Sequence, residues 1–169
     1  KVAFVGSFNL IDRGYLMPGH VRAGRQWVDT FAELEGPIVE SIESMFAVDW
    51  YTESGERLDV VRASGETSIS NGDVLQLVPS GPGYLTEPNL RMFNSIVHNA
   101  KEQLTLCSPY FVPEESLLEA ITSACYRGVR VDLFVGEKAD QFMVHHAQSA
   151  YYEALLKAGV RIWEFPAPY

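Results

Sequence analysis

One short pattern occurs twice in this chain and restricts its architecture more than any other feature. Residues 124–135 read ACYRGVRVDLFV and residues 155–166 read LLKAGVRIWEFP, with Gly128 and Gly159 standing 31 positions apart. In each copy a segment of helical periodicity ends at a glycine, and an apolar, β-branched run follows at once. A glycine just past the last turn takes the left-handed conformation that closes a helix. A period of about thirty residues is that of one αβ unit, so the second half reads as successive parallel strands joined by helices.

The remaining elements fall into place around that repeat. Asp73–Ser80 alternates like a strand and runs into a Gly/Pro loop at 81–86. Leu90, Phe93, Ile96, Val97 and Ala100 recur at helical spacing. Leu104–Val112 reads as the next strand, and Pro113-Glu114-Glu115 as the start of a helix with Leu117, Leu118, Ile121 and Cys125 on its buried stripe. Val129–Val135 and Arg161–Phe165 are strands. Between them a helix from about Asp140 to Ala158 is expected to bury Met143, Ala147, Ala150, Tyr151, Ala154 and Leu155. The first half is less regular. It holds a strand at 1–7, a polar loop at 10–25, a loosely alternating run at 26–34, and a helix after Gly36-Pro37 with the stripe Ile38, Ile42, Met45, Phe46 and Trp50. From 52 to 72 the composition shifts to Ser, Gly, Glu and Asp, the best boundary in the chain.

The 169 residues are 47% apolar and 21% charged, which excludes disorder, collagen and coiled coil, and the length can bury a core. No stretch approaches the roughly 18 uninterrupted apolar residues of a membrane span. KVAFVGSFNL has only one charge before its apolar run and no small-residue cleavage site, which makes it a poor signal peptide. A net charge of −9 repels nucleic acid and anionic lipid as a global field. Residues 1–25 run against that trend, holding Lys1, Arg13, Arg22 and Arg25 against Asp12 alone, with His20 among them. This basic stretch is either a solvated loop or one that faces an anion. Cys107 and Cys125, eighteen positions apart, have neither zinc nor disulfide spacing, and their segments read as buried.

Most candidate sites fail on chemistry. The turn Gly81–Thr86 lacks the third glycine of a dinucleotide-binding loop, and Pro82 removes an amide that would hold phosphate. No serine lies in a G-x-S-x-G elbow. His145 and His146 diverge by about 100° on a helix and so do not pinch one metal, even with Asp140 nearby. Glu114 and Glu115 suit a helix dipole better than acid/base work. Gly6-Ser7-Phe8-Asn9 survives. Its glycine lets backbone approach a ligand, and its hydroxyl and amide can donate to phosphate oxygens, although a plain strand-end turn has the same composition.

Taken in order, VAFVGSFNL, GRQWVDTFAELEGPIVESIESMFAVDWY, VPSGPG, SPYFVPEESLLEAI, RGVRVDLFVGEKADQF and SYYEALLKAGVRIWEFPAPY resemble the bacterial cardiolipin synthases of the phospholipase D superfamily. The resemblance covers nearly the whole chain, with 52–72 least distinctive. It implies an α/β, phospholipase D-like fold: a mixed, mostly parallel sheet with flanking helices, and an incomplete pseudo-two-fold arrangement. Residues 1–53 would be the C-terminal part of the first half, 54–72 a linker or extended arm, and 73–169 the N-terminal part of the second half. The family works with two copies of H-x-K-x(4)-D, and neither is here. His20 is followed two positions on by Arg22, His98 by Ala100, His145 by Ala147 and His146 by Gln148. The resemblance places the first motif just before Lys1 and the second just after Tyr169.

What the resemblance implies about function follows the same division. The parent protein would be a phosphatidyltransferase at the bacterial cell membrane, joining two phosphatidylglycerols into cardiolipin and glycerol through a phosphohistidine, with no cofactor or metal. The chain alone, having no motif histidine or lysine, would be inactive. It would be soluble and cytoplasm-facing, meeting the membrane through parts outside it, with no nucleic-acid partner and with open edges that favour self-association. Gly6, Ser7 and Asn9 match the family's phosphate element, Ser108, Tyr110 and Phe111 its SPYF strand end, and Asp140 an acidic position after the next strand. His20, Arg22 and Arg25 are headgroup contacts on the strength of local charge. Another phospholipase D-type phosphodiesterase, or a non-catalytic α/β binding or assembly module, remains an alternative.

Overall fold

A helix that ends must satisfy its last carbonyls, and the repeated Gly-Val-Arg block does so in the same way twice. In the computed structural model, which describes residues 1–11, 18–24, 28–60, 72–81, 84–137 and 142–166, Gly128 N–H donates to Cys125 O at 2.9 Å and Val129 N–H to Ala124 O at 3.0 Å. The second copy repeats the geometry, with Gly159 N–H on Leu156 O at 3.1 Å and Val160 N–H on Leu155 O at 3.0 Å. These paired bonds need a left-handed residue, and the two glycines have φ of 89° and 103°. Ala124, Val129, Leu155 and Val160 are all buried in one core, so each stop also closes on an apolar contact.

Two units divide the chain. One is built from Lys1–Asp12 and Val28–Tyr84, the other from Arg13–Trp27 and Leu85–Tyr169. The second unit holds helix α3 (Pro88–Asn99), strand β3 (Gln103–Cys107), helix α4 (Glu115–Tyr126), strand β4 (Arg130–Gly136), helix α5 (Phe142–Ala158) and strand β5 (Arg161–Phe165). The strands form a parallel sheet in the order β3-β4-β5, two consecutive βαβ units. The register pairs Gln103 with Arg130 and Asp132 with Arg161. Val131, Leu133 and Val135 point into the core with Leu104, Ala120, Ile121, Ala124 and Leu155. Arg127 donates to the carbonyls of Val97 and His98, tying α4 to the open end of α3. A short helix, α1 (Pro18–Ala23), also belongs to this unit.

The opposite face of β4 carries a buried carboxylate. Asp132 accepts from Trp163 Nε1 at 2.8 Å and from Arg161 Nη2, with Arg130 Nε 3.7 Å away. The Arg161 guanidinium also lies 5.9 Å from the centre of the Trp163 ring. The hydrogen bond from Arg161, then that from Trp163, hold the Asp132 carboxyl below the usual carboxylate range despite its burial.

The first unit pairs strand β1 (Val2–Gly6) antiparallel with strand β2 (Phe31–Glu35), with Gly6 opposite Phe31, and follows them with helix α2 (Ile38–Ser54). Gly36, at φ 91°, turns the chain from β2 into α2, and Gly55 N–H closes the helix on Tyr51 O at 2.9 Å. Lys1 Nζ reaches Glu43 Oε2 at 2.7 Å, joining the start of β1 to α2. Among this unit's described residues only Val39 is buried.

Several expectations are corrected. Asp73–Ser80 joins no ladder among the described residues, and Val74 is exposed; alternation marks a strand only where a neighbour takes its backbone groups. The strand expected over 104–112 ends at Cys107, where Pro109 has no N–H to continue it. In the described part of the run at 26–34, residues 28–30 are not strand and the strand starts at Phe31. In α5 the stripe is rotated. Met143 is 82% exposed and Ala147, Ala150 and Ala154 are exposed as well; Leu155 is buried and Tyr151 half-buried as expected, and Gln148 and Ala158 are buried beside them. Phe46, Trp50, Phe93 and Ile96 are also largely exposed. Cys107 is exposed, because alternate residues of the edge strand β3 face away from the helices. Cys125 is half-buried, and that burial pushes its thiol upward.

Candidate phosphate-facing strand ends

At the end of β1 the chain turns without room for a side chain. A Cβ on Gly6 would collide with the Thr30 carbonyl oxygen and lie 2.8 Å from the Phe31 ring, so glycine is what lets β1 and β2 close at this end. Ser7 is the next residue, and its hydroxyl is held from two sides. It donates to Asp29 Oδ1 at 2.8 Å and accepts from Thr30 N–H at 3.2 Å, while Ser7 N–H donates to Thr30 O at 3.2 Å. The Phe8 and Phe31 rings meet at 5.5 Å. Asn9 is exposed, and its carbonyl accepts from Ile11 N–H at 2.7 Å. The Ser7 proton therefore points at a carboxylate, and a phosphate drawing on that hydroxyl must compete with Asp29 for it. The sequence reading missed Asp29. It lies in a W-V-D-T run with no local signal of partnership, and only the Gly6–Phe31 register brings it to Ser7.

The second group stands at the carboxyl edge of the parallel sheet, where open α/β folds bind ligands. Ser108 N–H extends the ladder to Phe134 O at 3.1 Å, and Ser108 Oγ accepts from Tyr110 N–H at 3.2 Å, making a hydroxyl-braced turn across Pro109. Tyr110 is partly exposed at that edge. Phe111 goes the other way. Its ring is in the core, and its N–H donates to Gln148 Oε1 at 2.9 Å. Gln148 in turn donates from Nε2 to the Tyr152 hydroxyl at 2.6 Å. Burial raises the Tyr152 phenol above its ordinary range, the Gln148 hydrogen bond opposes that, and the nearby Glu164 charge adds to it.

His20 is half-buried and Arg22 exposed in the last turn of α1. Arg25 and Asp140, with the side chain of His145, lie outside the described residues. Among the described residues no three His, Cys, Asp or Glu side chains gather closely enough for a metal, and no helix is long and apolar enough to cross a membrane.

Residues 94–168 match the family described as "Cardiolipin synthase, PLD-like domain". The chain is 37% identical over 97% of its length to Cardiolipin synthase A of Serratia proteamaculans. It is 36% identical over the same share to the proteins of that name from Edwardsiella ictaluri and Yersinia pseudotuberculosis. The chain is similar to phospholipase D-like cardiolipin synthases over nearly its whole length. It spans about a third of the length of those relatives, 34% in each case. The parallel sheet with flanking helices is the α/β, phospholipase D-like architecture expected of a cardiolipin synthase segment. Among solved structures, a polyphosphate kinase from Porphyromonas gingivalis overlaps 46% of this chain and 11% of its own at TM-score 0.35 and 19% identity, too slight a likeness to carry an argument.

Proposed function

We propose that this chain is the middle portion of a membrane-associated phosphatidyltransferase that joins two phosphatidylglycerols into cardiolipin and glycerol. The observation that carries this reading is similarity to cardiolipin synthases over 97% of the chain, combined with the absence of any H-x-K from its sequence. The catalytic histidines and lysines then belong to flanking sequence. One histidine attacks phosphorus, the bond to the headgroup glycerol breaks, and the second histidine protonates the departing alkoxide. That second histidine next takes a proton from the headgroup hydroxyl of another phosphatidylglycerol, which attacks the phosphohistidine and frees the nucleophile. One phosphodiester replaces another, so the exchange needs no nucleotide.

Within this scheme residues 1–53 close the first half, 54–72 link, and 73–169 open the second. Gly6, Ser7 and Asn9 border the phosphate in one half, and Ser108, Tyr110, Phe111 and Asp140 border it in the other. His20, Arg22 and Arg25 meet the anionic headgroup, and the membrane is reached through parts outside this chain. The chain by itself lacks the motif histidine that would act as nucleophile.

The test has two arms. The full-length protein given labelled phosphatidylglycerol is expected to yield cardiolipin and glycerol; release of phosphatidic acid alone would make it a phosphodiesterase and overturn the reading. The 169-residue chain under the same conditions is expected to show no turnover above background, since losing even one member of a catalytic set costs several powers of ten. Arg22→Glu in the full-length protein should weaken binding to phosphatidylglycerol vesicles several-fold, on the basis of about 1 kcal/mol per basic residue at an anionic surface. Unchanged binding removes Arg22 from the headgroup site.

A further inference from the structure

A parallel strand that stops leaves its next backbone amides without a ladder, and buried amides must find acceptors. After β3 the first of these, Ser108 N–H, still reaches Phe134 O, and Tyr110 N–H is taken by Ser108 Oγ. Phe111 N–H is buried, and its acceptor is the side chain of Gln148, thirty-seven residues later on α5. Gln148 is 1% exposed. Because a peptide N–H only donates, the glutamine oxygen must face Phe111 and its nitrogen must face Tyr152. The Tyr152 hydroxyl accepts there at 2.6 Å, one helical turn on. Both ends of the amide are thus specified.

The Phe111 ring alone would hold the loop loosely, since apolar contact is non-directional. The Gln148 bond adds direction. We infer that Gln148 is a positioning residue that, through the Phe111 amide, sets where Ser108 and Tyr110 stand at the carboxyl edge of the sheet. This rests on the proposed phosphatidyl transfer, in which Ser108 and Tyr110 border the substrate. It explains why a fully buried amide side chain occupies a helix position that an apolar residue would otherwise fill.

The experiment uses the full-length protein, phosphatidylglycerol vesicles, and the variants Gln148→Leu, Gln148→Glu and Tyr152→Phe, assayed well below each melting temperature. Leucine fills the volume but accepts nothing. Its kcat is expected to fall about tenfold or more, since small misplacements at reacting centres have effects of that size, with KM changing much less. Glutamate keeps an oxygen for Phe111 N–H and should recover most of kcat. Tyr152→Phe, which frees only the far end of the amide, should lie between. Hydrogen exchange at Phe111 is expected to speed up about tenfold in the leucine variant and stay near wild type in the glutamate one. An unchanged kcat with the leucine variant, a loss shared equally by glutamate, or undisturbed Phe111 exchange would each overturn the inference. If the wild-type protein makes no cardiolipin, the proposed function fails instead, and the exchange measurement still decides whether Gln148 pins the loop.

Discussion

The two units of this chain each carry a serine at a strand end, Ser7 after β1 and Ser108 after β3, on unequal foundations. Behind Ser108 and Tyr110 stands a parallel sheet whose central strand buries Val131, Leu133 and Val135 against α4 and α5. Behind Ser7 and Asn9 stand, among the described residues, a two-stranded ribbon with exposed Val2, Phe4 and Val5, one helix and a single buried residue, Val39. A ribbon of two strands is marginal without further partners, whereas two consecutive βαβ units bring their own cover. The lesson is that a loop's rigidity is inherited from what lies beneath it. Phe111 and Gln148 anchor one loop from within a core, while the other is tied by exposed hydrogen bonds among Ser7, Asp29 and Thr30.

The sharpest way to break that contrast is to cut each core once. Leu133→Ala is expected to destabilise the second unit by about 3 kcal/mol, and Val39→Ala the first by about 1.5 kcal/mol, from the transfer and cavity costs of the lost groups. Hydrogen exchange resolved by unit in the 169-residue chain would read both; equal losses would show the cores to be of one kind. Gly159→Ala should follow at about 1–2 kcal/mol, because a Cβ is strained at its left-handed φ, and a denaturant midpoint unmoved by it would remove the helix-stop argument.

A further effect is confined to acid. The Asp132 carboxyl is held low in the folded chain, so its contribution is present above the ordinary carboxylate range and is lost as pH falls through that lowered value. Asp132→Asn should therefore be less stable than wild type at neutral pH and converge with it in acid. Parallel melting curves across that range would contradict the assignment. Smallest of all, Ser7→Ala should cost the first unit about 0.5–1 kcal/mol, the ordinary net value of a hydrogen bond. Sedimentation should detect association of the isolated chain through its open strand edges, and a monomer at high concentration would argue against it.

How legible the molecule was depended on how local each signal is. Gly128 and Gly159 announce α4, β4, α5 and β5 because a helix stop is written within five residues. Asp73–Ser80 carries an equally good alternation and forms no ladder, since pairing needs a neighbour that alternation does not name. Ser7 and Ser108 could be picked out as strand-end hydroxyls. Asp29 and Gln148 could not, because each gains its meaning from one residue far along the chain. Cys107 was read as buried because the apolar run does not say which face of its strand is covered, and its register partner Phe134 on β4 is exposed as well.

Periodicity, turn residues and composition were enough, taken alone, to establish an αβ repeat, its helix stops, and a sequence without an H-x-K motif. These are properties of neighbouring residues and of composition, and they survive without coordinates. Tertiary structure decided which faces are covered, that Asp132 is enclosed by Arg161 and Trp163, that Ser7 is bound to Asp29, and that Gln148 holds Phe111. Each of those joins residues twenty or more positions apart, and a hydrogen bond over that separation exists only once register and packing have set both ends.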